Sequence, residues 1–219
     1  MLVVIDPGHG GKDPGASVDG YLEKDINLKI SLKLKEILID KKIDVIMTRE
    51  NDETVDLKLR CEIANKNNAN YFISVHCNSS KDKSANGSET YSYPGSQRGR
   101  NLAQYVQNSI VEMLGTKNRG VKYAEFYVLK YTLMPAIIVE TAFMSNPENL
   151  KLLIDESSIF AEAIAEGFFS FLKSINIEQD SDVDRLRQLG IINEYKDSKA
   201  YVTWGDVASV VIKVLEVMK

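Results

Sequence analysis

Short runs of apolar or alternating residues punctuate the chain at 2–6 (LVVID), 43–47 (IDVIM), 70–76 (NYFISVH), 87–93 (GSETYSY) and 136–140 (AIIVE). Each is rich in β-branched or aromatic residues and bounded by polar or turn residues, which predicts a strand. Helical patterns lie between most of them. Residues 56–68 and 97–114 carry apolar positions three and four apart, as in Leu102, Tyr105, Val106, Ile110 and Leu114. The segment 26–38 alternates like a strand but also places Ile30, Leu34, Ile37 and Leu38 on one helical face. Its length, and the crossover needed between parallel strands ending at Asp6 and Met47, decide for a helix. A further helix is predicted over 156–173. Strands alternating with helices define an α/β fold: a mostly parallel, twisted sheet flanked by helices on both faces.

The pattern changes near the C-terminus, where the chain turns polar and acidic from Glu178 to Asp184. This shift predicts a main domain over 1–175, a linker over 176–184 and a small helical module over 185–219. In the module, Leu186, Leu189 and Ile192 mark a short helix stopped near Gly190. Val207, Val210, Val211, Val214, Leu215 and Met218 line one face of a second, and Thr203 and Asp206 are spaced as a capping box at its start. About 40 residues is the size below which domains rarely fold unaided. The module is therefore expected to pack on the main domain, to form a homo-oligomer through its helices, or to belong to a longer array.

Composition narrows the function. The 219 residues carry a formal charge of −4 with scattered basic positions, which leaves no electrostatic footprint for nucleic acid. No apolar stretch is long enough to cross a bilayer, so no membrane partner is expected. The chain opens directly on LVVID without the pattern of a secretory signal. The expectation is cytoplasmic accumulation with release at lysis, or a signal removed upstream. The two cysteines, Cys61 and Cys77, lack metal-ligand or disulfide-framework spacing and are read as free thiols.

Chemistry concentrates at strand ends. The chain has two histidines, His9 and His76, each at or just beyond the end of a predicted strand, and a third strand ends in Glu140. Open α/β sheets place their ligands beyond strand C-termini, so the three endings suggest one site. His9 lies in VIDPGHGGKDPGA, a glycine- and proline-rich loop that matches neither GxxxxGK[ST] nor GxGxxG. Alone, such a histidine reads more often as a turn residue than as a ligand. Glu23 follows fourteen positions later, in YLEKDINL at the mouth of the next helix, after a loop just long enough to fold back over the strand ends. Acidic residues in a first helical turn also serve the helix dipole, which is the other reading of Glu23. Two imidazoles and a carboxylate suit zinc and leave a fourth position for water, as catalytic sites do. Cys77 is a tempting soft ligand, but strand alternation turns it to the core when His76 faces the site. A carboxylate such as Glu140 at a buried strand end is costly without a role or partner. It is either a general base or half of a salt bridge to Arg49 or Arg119.

The strings VIDPGHGGKDPGA, YLEKDINL, ISVHCN and VETAFMSNPEN, in this order and at these separations, closely resemble the zinc-dependent N-acetylmuramoyl-L-alanine amidases of the type 3 class, over about residues 2–173. The resemblance implies a three-layer, zinc-exopeptidase-like fold, one Zn2+ per chain on His9, Glu23 and His76, and Glu140 as the catalytic glutamate. It implies peptidoglycan as substrate, cut at the amide between N-acetylmuramic acid and L-alanine. Cys77 stands where the family often has alanine. No inserted helix of the kind that occludes the site in regulated members is evident between Asn78 and Gly87, so an open cleft is expected.

The tail at 186–215 resembles one S-layer homology motif, which implies a secondary cell-wall polymer as partner. Thr203, Trp204, Gly205 and Asp206 replace the usual Thr-Arg-Ala-Glu. Tyr195, Tyr201 and Trp204 are its candidate wall contacts. The whole reads as a phage-type endolysin or a bacterial autolysin. The alternatives are a zinc peptidase or deacetylase with the same ligands, or a wall-binding protein without catalysis. Such donor sets also accept several divalent ions.

Overall fold

The computed structural model describes residues 1–188 and Ile212, with side chains described through residue 175 and at Ile212. In chain order the elements are β1 (Leu2–Pro7), β2 (Ser17–Val18), β3 (Tyr21–Leu22), α1 (Glu23–Asp40), β4 (Asp44–Met47), α2 (Leu57–Lys66), β5 (Tyr71–Asn78), β6 (Ser88–Ser92), α3 (Gln97–Leu114), β7 (Asn118–Tyr123), α4 (Tyr127–Tyr131), β8 (Ala136–Phe143), α5 (Pro147–Asp155) and α6 (Ser157–Gln188). Six strands form one sheet in the order β4-β1-β5-β8-β6-β7. The first four are mutually parallel, while β6 runs antiparallel to β8 and carries β7 with it. The fold is the α/β class that strand and helix alternation predicts.

The central strands read as continuous apolar runs because both faces are covered. Val4, Phe72, Ala136 and Ile138 pack with Cys61 and Ala64 of α2 and with Val128 and Leu129 of α4. The alternate positions face the other way, where Tyr71 meets the rings of Phe168 and Phe171 in α6 at 5.2 and 5.7 Å. A side chain on Gly167 would run into the Val106 backbone, so this glycine allows α6 to approach α3 closely.

Several boundaries differ from the sequence expectation, each for a physical reason. β7 has no apolar run, since NRGVKY is polar and only partly buried. It joins as an edge strand through backbone pairing, where charge and glycine are tolerated. The strand ending in Glu140 continues to Phe143, and α5 follows it, started by Asn146 as N-cap with a proline just inside. The helix predicted over 156–173 is longer than expected: α6 runs unbroken to Gln188, through the acidic segment 176–184. That acidic stretch contains neither glycine nor proline, and its polarity alone gives no reason to end a helix. By its contacts the chain divides into two compact units, Met1–Phe171 and Leu172–Lys219. Among the described residues, no helix is long and apolar enough to cross a membrane.

Candidate metal centre

Three chain segments deliver the predicted donors to one place beyond the C-terminal ends of β1 and β5. His9 follows β1 with φ of 60°, a left-handed conformation unusual for a residue with a side chain. Two buried arginines hold this loop by its carbonyls. Arg49 donates to Pro7 O at 3.0 Å, Gly8 O at 2.9 Å and Lys24 O at 2.8 Å. Arg60 donates to Pro7 O at 2.8 Å and His9 O at 2.7 Å. Arg60 is also paired with buried Asp6 at 2.6 Å, whose other oxygen accepts from Ser74 Oγ at 2.7 Å. Glu23 is returned to the strand ends by the β2–β3 hairpin. Asp19 and Gly20 at its tip both have positive φ, 49° and 84°, the signature of a tight type I′ turn.

Glu23 Oε1 lies 3.1 Å from His9 Nε2 and 3.0 Å from His76 Nδ1. One donor atom from each of the three residues falls within 4.8 Å of the others. The other His9 nitrogen, Nδ1, pairs with Asp13 Oδ2 at 2.8 Å, the carboxylate–histidine arrangement that orients a metal-binding imidazole. Glu23 accepts from the backbone N–H of Ala16 at 2.9 Å and of Cys77 at 3.2 Å, and from Asn27 Nδ2 at 3.2 Å. Its carboxylate is thereby fixed in position. Gly8 passes so close to the His76 ring that any Cβ there would overlap the imidazole. At Gly15, with φ of +64°, a Cβ would come within 2.6 Å of Glu23 Oε2 and 2.7 Å of His9 Cδ2. The cradle requires glycine at both points.

The electrostatics follow from this packing. The Glu23 hydrogen bond, aided by Asp13 and opposed by burial, pushes His9 up to about 9. Burial alone would raise Glu23, but hydrogen bonds from His76 and His9 outweigh it and hold the carboxyl far below the usual range. Burial would lower His76, yet Glu23 and Glu140 reverse the sign and raise it. A cation would replace the protons these imidazoles hold, and two nitrogens around a buried carboxylate oxygen form a donor set that fits zinc or a similar divalent ion. In metal-free protein the raised His9 value contributes stability that is complete below 6.5 and lost as pH rises through about 9. Metal uptake near neutral pH should therefore release protons, and affinity should climb with pH up to that value. Calorimetry in buffers of different ionisation enthalpy measures this directly; uptake without proton release contradicts the assignment of His9.

Glu140 stands beside the donors, in register with His76 on the neighbouring strand. Its Oε2 is buried without a hydrogen-bond partner, and burial pushes the carboxyl up to about 7. Neither arginine considered as its salt-bridge partner takes that role. Arg49 binds backbone carbonyls, and Arg119 donates to Glu89. Cys77 lies on the core side, its Sγ 3.3 Å from Thr141 Oγ1. Both cysteines are free. A cleft of about 550 Å³, walled by Leu57, Phe126 and Tyr127, opens onto His9, His76 and Glu140. No helix interrupts the segment between Asn78 and Ser88. Tyr195, Tyr201 and Trp204 lie outside the described residues.

Sequence reasoning passed over the groups that hold the loop. Asp6 ends an apolar run just as Glu140 does, and Arg60 shares the buried helix face of Cys61 and Ala64. Both signals were present in the pattern. Glu89, buried in the middle of a polar strand, had no comparable marker.

The fold and donor set define an α/β domain in which His9, Glu23 and His76 form a candidate metal site, with an unpartnered carboxylate oxygen of Glu140 beside it. A family model described as N-acetylmuramoyl-L-alanine amidase matches residues 3–170. The chain is 38% identical over 178 residues to N-acetylmuramoyl-L-alanine amidase LytC of Bacillus subtilis, a match covering 78% of this chain and 35% of LytC. It is 38% identical over 180 residues to an endolysin of Bacillus phage SPP1, covering 78% of this chain and 66% of the endolysin. The solved structure of N-acetylmuramoyl-L-alanine amidase AmiC2 of Nostoc punctiforme superposes with a TM-score of 0.75 at 43% identity, covering 79% of this chain and 97% of that one. The chain belongs to the N-acetylmuramoyl-L-alanine amidase family. It spans about a third of LytC, whose remaining length has no counterpart in the match.

Proposed function

We infer that this domain hydrolyses the amide between N-acetylmuramic acid and L-alanine in peptidoglycan, with a metal held by His9, Glu23 and His76. The observation that carries the reading is the unpartnered Glu140 Oε2 in register with a ligand histidine, in a chain of this family. Zinc bound by these donors would supply Lewis acidity to polarise the scissile carbonyl and acidify water. Glu140 Oε2 takes the proton of the attacking water and passes it to the departing alanine nitrogen. A carboxyl near 7 suits both directions of transfer at neutral pH. Asp13 orients the His9 ring, while Arg49 and Arg60 hold the loop so that the donors need no rearrangement.

The reading extends to an enzyme acting at the cell wall, as an endolysin or an autolysin, with residues 1–175 catalytic and the C-terminal region an auxiliary module for wall polymer or self-association. Digestion of purified peptidoglycan tests the chemistry. New L-alanine amino termini should appear without new reducing ends. Reducing ends would make the enzyme a glycosidase, and termini other than L-alanine a peptidase.

A further inference from the structure

A second charged cluster lies one strand beyond Glu140 and has no part in the mechanism described above. Glu89 of β6 is the register partner of Glu140 and is 2% exposed. Its Oε1 accepts from Asn78 Nδ2 and Tyr91 OH, both at 2.8 Å. Its Oε2 accepts from Arg119 Nε at 2.6 Å and from Lys122 Nζ. Every strong acceptor position on this carboxylate is used. Two cations on one carboxylate nevertheless leave one positive charge uncompensated.

That surplus charge faces outward. The side chains of Arg119 and Lys122 are 30% and 36% exposed, against 3% for Glu89. Arg119 is immobilised twice, by Glu89 at Nε and by the Phe143 ring 4.7 Å beneath its guanidinium carbon. Its two terminal nitrogens have no protein acceptor among the described residues. A β-bulge between Ser88 and Thr90 sets two β7 residues, Arg119 and Gly120, against the single residue Glu89 of β6, and Gly120 takes a positive φ of 80° there. Bulges beside active sites re-aim side chains. A planar guanidinium held at its inner edge and open at its outer one matches a carboxylate in two-point geometry.

Resting on the amidase reading, we propose that Arg119 and Lys122 form a subsite for a carboxylate of the peptide cut from the glycan. β7 lies two strands from β8, roughly 10 Å at the usual strand spacing. An extended peptide advances about 3.5 Å per residue. The carboxylate therefore belongs to the second or third residue after the cut, and the substrate class is an acidic peptide.

The test uses metal-loaded protein and two N-acetylmuramoyl-L-alanyl tripeptides, one with free carboxylates and one with every carboxyl converted to amide. A charge-assisted pair is worth enough to favour the acidic substrate by about tenfold in kcat/KM. That ratio should fall to near one in Arg119→Gln, fall in part in Lys122→Gln, and return in part in Arg119→Lys. Each glutamine variant leaves Glu89 one cation and two neutral donors, which keeps the strand pair intact. A ratio untouched by Arg119→Gln, or a wild-type preference for the amidated substrate, overturns the subsite. If wild type cleaves neither tripeptide, the amidase reading itself fails. Titration of the free acidic and amidated tripeptides into wild type and Arg119→Gln then decides the subsite by binding alone: preference for the acidic peptide, lost in the variant, supports it, and equal affinities refute it.

Discussion

Replacing Glu140 by glutamine is expected to lower turnover by roughly 10²- to 10⁴-fold while the protein should still bind one metal per chain. The size is that of general acid–base catalysis by one positioned side chain. Retention of metal follows because Glu140 is not among the three clustered donors. The same substitution should stabilise the metal-free protein at alkaline pH. Burial raises Glu140 to about 7 from the ordinary 4.5, so between these values the folded state holds a proton that the unfolded chain has released. Stability then declines as pH rises from about 4.5 through about 7, and glutamine removes that decline. Thermal melts of chelator-treated wild type and Glu140→Gln across this range give the comparison. Equal pH slopes in the two would mean that Glu140 carries no buried charge.

Arg60→Met is expected to cost about 3–5 kcal/mol of folding stability, the usual loss when one half of a buried ion pair is removed. Asp6 is 1% exposed and Arg60 4%, so the stranded carboxylate would keep only the hydroxyls of Thr48 and Ser74. The double variant Asp6→Asn/Arg60→Met should regain most of this stability, because no unpaired charge remains. Metal affinity should stay low in both variants, since the Arg60 bonds to the carbonyls of Pro7 and His9 are gone. Denaturant unfolding and metal competition separate the two effects. Restored affinity in the double variant would show that Arg60 serves the core and not the loop.

What could be read in advance was whatever hydrophobic burial writes into the chain. β1, β5 and β8 are buried on both faces, and their largely apolar runs announce both the strands and the polar residues that end them. His9, His76 and Glu140 stand out for that reason, and Glu23 through the loop before its helix, just long enough to fold back over the strand ends; that this loop is a β2–β3 hairpin was not legible. β7 could not be read this way, because an edge strand is held by backbone pairing and its side chains remain partly wet. The Glu89 cluster was hidden for the same reason: its meaning depends on a strand without an apolar signature. The full length of α6 was not legible either, because the apolar pattern stops at the acidic stretch 176–184 although no residue there breaks a helix. Of the tail at 186–215 that resembles an S-layer homology motif, all but residues 186–188 and Ile212 fall outside the described residues.

Activity as a function of bound metal tests the central claim most directly. Chelator-stripped protein is titrated with zinc while L-alanine termini released from peptidoglycan are counted, for wild type and for His9→Asn. Asparagine tolerates the left-handed backbone at this position, so the variant removes the ligand without removing the turn. The account predicts activity rising linearly to a break at about one equivalent in wild type, with neither tight binding nor activity in His9→Asn. Hydrolysis by stripped protein, or a His9→Asn titration that matches wild type, would contradict it.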